Sequence, residues 1–444
     1  MASAIGTVDP PGVSGGDLDA ASVGIEPVPA GLRVLGFRHH AVLWADLGVG
    51  LLVLVAGSAL VPALGFGMAV LAIVVGTVIG TSMLGLAGVI GSRHAITSMV
   101  SLRPSFGKRG SYLPSLLNVL QLVGWGAFEL VIMGRATEGL VGGMGGATYP
   151  LAVLGWASLA IAMGVGGPVV VVRQWLEKVG LPLVIATGAW LTWHLATTAD
   201  IGVLMTQPGE GGLTFAQALD IVVAMPVSWL PIVADFNRFA RDPRAAFWGT
   251  VTGFGVSNVA CYVLGALLML AMPAEDLVGS ILGIAFGGWG LLVLLADETD
   301  NAFADIYSGA MSLKNVVPGL PTRGVVVGIG AICAVIALVV DMHQYESFLF
   351  LIGGVFSPLY GVLFADYAWG RRGRYDAASL FPTAEASPTN EGTGIAAVAA
   401  WACGAGTYWW LSGYAPEVGG TIPSLLVTMV AYVALVRATR PVAA

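Results

Sequence analysis

From His40 onward, apolar residues recur in blocks of about twenty, each long enough to cross the hydrocarbon core of a bilayer as one helix. The blocks fall at 40–61, 66–90, 113–136, 149–172, 179–198, 214–239, 246–272, 284–313, 323–341, 345–367, 394–414 and 420–437. They predict an all-α polytopic membrane protein with twelve transmembrane helices, spans 1 to 12. The Gly-, Pro- and Asp-rich residues 1–39 hold no such block and read as a cytoplasmic tail, mobile over about its first 35 residues. That stretch lacks the basic start and apolar core of a secretory signal. A second polar stretch, 371–393 with Pro382 and Pro388, is the longest connection and sets spans 11 and 12 (394–444) apart from the first ten.

Charge supports the count. Only 10% of the residues are charged and 57% are hydrophobic, against about a quarter charged in an ordinary globular domain, so a soluble enzyme is excluded. With the N-terminus inside, 18 of the 19 Lys and Arg fall on the cytoplasmic side and only Arg135 falls outside. Positive charge marks inner loops, and one missed or invented span would invert every later loop. The pattern predicts both termini inside and a bacterial-type cytoplasmic (inner) membrane. The net charge of -7 gives no footprint for nucleic acid. The three cysteines lie far apart in apolar stretches, as neither a metal cluster nor a disulfide framework.

Ten spans divide into two sets of five, 40–200 and 201–370. Many secondary transporters pair two such sets in inverted orientation and bind their cargo where the first helix of each set is broken. Span 1 carries Gly48-Val49-Gly50 near its middle, and span 6 carries Pro226 and Pro231. Both are expected to be breaks.

Carboxylates sit where lipid should be. Asp46 precedes the span 1 glycines, Glu129 lies mid-span 3, and span 8 holds Asp297, Glu298, Asp300 and Asp305. An acid in the bilayer costs roughly 2.5–3.5 kcal/mol on insertion scales and therefore faces a bundle interior or a pathway. On a helical projection Asp297, Asn301, Asp305 and Ser308 fall within about 80°, with Asp300 about 60° to the other side. Asp235, before Arg238, and Asp366, before Arg371, are expected to hold a nearby backbone or arginine at the membrane rim. The five histidines read as helix-end or loop residues without a chemical role. Trp125, flanked by glycines and four residues from Glu129, offers a ring face beside a carboxylate, which suits a flat heterocycle bearing an amino group. Trp229 is a candidate second wall.

These stretches resemble the nucleobase:cation symporter-1 family, of the purine–cytosine permease type. The resemblance rests on "AVLWADLGVGLLVLVAGSALVP" in span 1, "RPSFGKRGSYLPSLLNVLQLVGWGAFE" into span 3, "MPVSWLPIVADFNRFARDPRAAFWGT" across spans 6 and 7, "DIYSGAMSLKN" in span 8 and "YESFLFLIGGVFSPLYGVLFADY" in span 10. It is nearest the hydroxymethylpyrimidine or cytosine permease branch. The resemblance implies a LeuT-like 5+5 inverted repeat and a substrate site at Gly50, Trp125, Glu129, Met225, Pro226, Ser228, Trp229, Asn301 and Asp305. It also implies a cation site, for sodium or a proton, at Asp46, Val49, Ala296, Thr299 and Asp300. The acids at Asp46 and Asp300 depart from the small or hydroxyl residues usual in relatives, and they favour proton coupling or a carboxylate-supported sodium site.

The expected activity is gradient-driven import of a nucleobase or related pyrimidine by a functional monomer without a cofactor. The alternative is the same fold carrying a purine, a hydantoin-like ring or an organic amine. An enzyme is disfavoured by the lack of H-E-x-x-H, Walker and G-x-S-x-G motifs, and a channel by the broken helices.

Overall fold

A computed structural model describes residues 23–142, 146–171, 178–272, 277–284, 286–340, 345–376, 378–381 and 394–439. Each predicted block contains helix. Span 1 is α1 (Phe37–Asp46) and α2 (Leu51–Ser58), span 2 is α3 (Phe66–His94), span 3 is α4 (Tyr112–Val141), span 4 is α5 (Thr148–Gly166) and span 5 is α6 (Leu181–Thr198). Span 6 is α7 (Phe215–Ser228) and α8 (Leu230–Asn237), span 7 is α9 (Pro243–Ala271), span 8 is α10 (Gly287–Val316) and span 9 is α11 (Thr322–Ala337). Spans 10 to 12 are α12 (Tyr345–Ala365), α13 (Ile395–Tyr414) and α14 (Thr421–Thr439). Among the described residues, eight helices are long and apolar enough to cross a membrane, or nine with α1 and α2 counted as one bent span. The acid-bearing α10 is not one of them.

Local chemistry sets the ends. Asp242 accepts the N–H of Ala245 (3.1 Å) with Pro243 in the first helical position, so α9 begins three residues before its apolar block. Thr214 and Gln217 form a reciprocal capping box at the start of α7.

The helices pack in two groups of four spans. One contains α1, α2, α3, α7, α8 and α9; the other contains α4, α5, α10 and α11. Spans 1 and 2 thus join spans 6 and 7, and spans 3 and 4 join 8 and 9, the same partition five spans apart. α12, α13 and α14 form a third cluster. Close approach in the first group depends on missing side chains: a Cβ on Gly57 would strike the backbone of Tyr262.

Two expectations change. The tail is not mobile throughout its first 35 residues, because residues 23–35 form a strap against the protein. Val23, Ile25, Val28 and Leu35 are buried. Val28 N–H donates to the Ala95 carbonyl (2.9 Å), and Leu35 pairs with Ala240 in a parallel bridge. The wholly buried Arg238 donates to the carbonyls of Gly24 (2.7 Å) and Val23 (3.3 Å). Residues 1–22 lie outside the described residues, as do 377 and 382–393 of the predicted 371–393 loop, and His343. His40, expected at a rim, is fully buried, because Gly249 lets α9 close over it.

The two rim acids do hold neighbours. Asp235 accepts the N–H of Ser98 (2.8 Å). Asp366 accepts from Tyr432 (2.8 Å) and Tyr375 (3.3 Å), with Arg371 at 3.8 Å.

Candidate substrate and cation site

Span 1 is interrupted between Asp46 and Leu51, and its two halves bend by 61°. An interruption strands N–H groups at the start of the second half and carbonyls at the end of the first. Helix α10 satisfies both. Glu298 Oε2 accepts the Leu51 N–H (2.8 Å), and Asn301 Nδ2 donates to the Val49 carbonyl (3.0 Å). A Cβ on Gly50 would meet Glu298 Oε2 and Asn301 Nδ2 at 3.1 Å each, so glycine is what lets α10 come this close.

Span 6 is less interrupted than expected. α7 and α8 meet at Trp229 alone, whose backbone stays helical (φ -85°, ψ -12°). Pro226 and Pro231 lack N–H groups, and carbonyls around this joint take donors from the other helices instead of opening a longer gap. Gln121 donates to the Ser228 carbonyl (3.0 Å), Asn118 to that of Pro231 (3.4 Å) and Tyr360 to that of Leu230 (2.6 Å).

Between the two interruptions lies a narrow, partly open cavity. Eight of the nine predicted substrate residues line it: Gly50, Trp125, Glu129, Met225, Ser228, Trp229, Asn301 and Asp305. Pro226 does not, because its ring packs against Gly80 of α3. Trp125 forms one aromatic wall and stands edge-on to Phe348 (5.5 Å between centroids, 72°). Trp229 forms another, braced edge-on by Trp44 (6.0 Å, 89°). Glu129 and Asp305 both line the cavity and are buried. Among the described residues, Glu129 Oε2, Asp305 Oδ2 and Asn301 Oδ1 have no hydrogen-bond donor. The cavity therefore combines flat apolar walls with unspent acceptors.

Glu298 also lines the cavity and was missing from the expected set. Its signal was present: it lies three residues before Asn301 and seven before Asp305, on the same helical face.

On the neighbouring face of α10, Asp297 and Asp300 meet Asp46 of α1. One carboxylate oxygen from each lies within 4.8 Å of the others, and all three residues are buried. No donor from the described residues reaches either carboxylate oxygen of Asp46 or Asp297. Such a set could hold protons or a hard cation, since oxygen ligands suit both. Of the five predicted cation residues, Asp46 and Asp300 come together, and Asp297 joins them. The Val49 carbonyl is engaged by Asn301, the Thr299 hydroxyl donates within its own helix to Leu295 (3.3 Å), and Ala296 is half-buried on α10.

The chain is similar to several known permeases and transporters. A hydantoin permease of Microbacterium maritypicum is 24% identical over 386 residues, covering 79% of this chain and 76% of the relative. The cytosine permease of Escherichia coli strain K12 is 28% identical over 369 residues, covering 78% and 81%. A purine-uracil permease of Arabidopsis thaliana is 26% identical over 432 residues, covering 86% and 69%. Among solved structures, the nucleobase-cation-symport-1 transporter Mhp1, closed with bromovinylhydantoin bound, superposes with a TM-score of 0.80 at 21% identity, over 94% of this chain and 96% of that one. Its inward-facing form gives 0.76 at 19% identity, over 93% and 92%. The fold is the LeuT-like transporter fold, and the protein is a transporter and not an enzyme. A family described as permeases for cytosine/purines, uracil, thiamine and allantoin matches residues 27–434, and this multi-pass membrane protein belongs to that family.

Proposed function

We propose that the protein is a secondary active symporter that imports an amino-bearing pyrimidine, of the cytosine or hydroxymethylpyrimidine kind, down an inward cation gradient. The reading is carried by one observation: a cavity at the span 1 interruption joins two tryptophan walls to three carboxylates and an unspent amide oxygen. The ring stacks on Trp125, with Trp229 and Met225 opposite. Glu129, Asp305 and Asn301 accept its N–H groups, and Gly50 and Ser228 border it.

Asp46, Asp297 and Asp300 receive the coupling ion, with Val49, Ala296 and Thr299 beside them. The three clustered carboxylates of Asp46, Asp297 and Asp300 can each take up a proton, which favours a proton over sodium. An ion at this cluster ties α1 to α10, and so ties together the two helix groups that rock against each other in alternating access. The setting is the bacterial-type cytoplasmic membrane, with both termini inside and a monomer as the working unit.

The test is uptake of radiolabelled cytosine, hydroxymethylpyrimidine, uracil and hypoxanthine into vesicles, with sodium and pH gradients imposed separately. Accumulation of an aminopyrimidine driven by an inward proton gradient is expected. Accumulation driven by sodium alone would reassign the ion, and no accumulation under either gradient would overturn the symport reading. Hydantoin belongs in the same panel, because Glu129 and Asp305 offer its ring N–H groups the same acceptors.

A further inference from the structure

In transporters with broken helices, the N-terminus of a half-helix points its positive end at anionic substrate groups. Here that end, the start of α2, is already taken. Glu298 Oε2 accepts the Leu51 N–H at 2.8 Å. Glu298 is buried, and it lines the cavity alongside Asn301, whose Oδ1 has no donor among the described residues. At Gly50, Glu298 and Asn301 approach so closely that even a Cβ would be tight. A second carboxylate has no room between α2 and α10.

We infer that Glu298 is a specificity-determining residue. Its side chain is a built-in anion that fills the half-helix terminus, closes the cavity to substrates bearing an acidic group, and reserves it for uncharged or donor-rich rings. This rests on the transport reading above and adds to it the class of ligand that is refused. The charge balance makes the point. Glu298 with a neutral ring, or an alanine at 298 with a ring that carries its own carboxylate, places the same number of negative charges at α2.

The full chain, purified and reconstituted, is tested for binding of labelled cytosine and labelled orotate, a pyrimidine carboxylate. The wild type is expected to bind cytosine and not orotate. Glu298→Ala is expected to weaken cytosine binding roughly tenfold, to regain it when formate refills the vacated terminus but not when formamide is added, and to acquire orotate binding. Glu298→Ser, whose short side chain likewise vacates the terminus, carries the same expectations if the alanine variant is unstable. Orotate binding to the wild type, or a folded variant that neither responds to formate nor binds orotate, overturns the inference. Loss of all base binding by the wild type would instead remove the transport reading on which it rests.

Discussion

At the scale of single residues, the chemistry of the cavity is a matter of which acceptors still lack donors. Glu129 Oε2 is one of them, and a hydrogen bond involving a charged group contributes about 1.5–3 kcal/mol. Glu129→Gln replaces one carboxylate oxygen by an NH₂ that meets ring N–H groups donor to donor. Its expected effect is a loss of aminopyrimidine affinity of roughly tenfold or more, read by competition binding, while uracil is affected less. Unchanged affinity for both would remove Glu129 from recognition. Asp300 is expected to act on coupling rather than recognition. Asp300→Ala should abolish gradient-driven accumulation in proteoliposomes yet leave counterflow exchange of base measurable. Accumulation that survives the change would move the ion away from the three-acid cluster. Most of these residues were legible because an acid at mid-span has few uses. Glu298 and Asp297 were harder to assign, because their roles depend on partners far away in sequence: Leu51 is 247 residues from Glu298.

At the scale of elements, the two interruptions are stabilised in different ways. The span 1 gap is held by Glu298 and Asn301 of α10, whereas the span 6 joint is held by Gln121 and Asn118 from α4 and Tyr360 from α12. Those last three bonds cross from one helix group to its neighbours, so any movement of α7 and α8 must break them. Tyr360→Phe keeps the ring and removes the donor to the Leu230 carbonyl, leaving that group buried and unsatisfied at a cost of about 1–3 kcal/mol. The expected result is a lower melting temperature and faster amide exchange around residues 228–233; unaltered exchange there would show that the joint is held by packing. Gly57→Val would push a branched side chain into the Tyr262 backbone and should destabilise the fold by about 1–3 kcal/mol through overpacking, read as a fall in melting temperature that Gly57→Ala shows to a smaller degree. The gap between Asp46 and Leu51 could be read from Gly48 and Gly50. The shortness of the span 6 joint could not, because Pro226 and Pro231 announce missing N–H groups without saying which neighbours answer the stranded carbonyls.

At the scale of the whole molecule, the partition into two groups of spans leaves a seam between them. The strap of residues 23–35 lies across it. Arg238 of the first group grips the Val23 and Gly24 carbonyls and also donates to Tyr307 of α10 in the second (2.9 Å). Gly24 lies against Lys314, near the end of the same helix. The sequence pattern hid this, since the tail is rich in Gly and Pro, and the apolar residues that anchor it (Val23, Ile25, Val28) form no helical or strand period. A clamp that joins both groups would have to let go before they could part at this end of the bundle. Arg238→Met preserves much of the side chain's apolar length and removes its five donors, so two strap carbonyls and the Tyr307 hydroxyl lose their partner. The expected outcome is loss of amide protection over residues 23–35 and a greater reactivity of cysteines placed along the seam. Efflux of preloaded base should then rise relative to gradient-driven uptake. If the strap loses protection while seam reactivity and efflux stay as in the wild type, the strap is a passive anchor and closure of the seam rests on the Gln121, Asn118 and Tyr360 contacts at the span 6 joint.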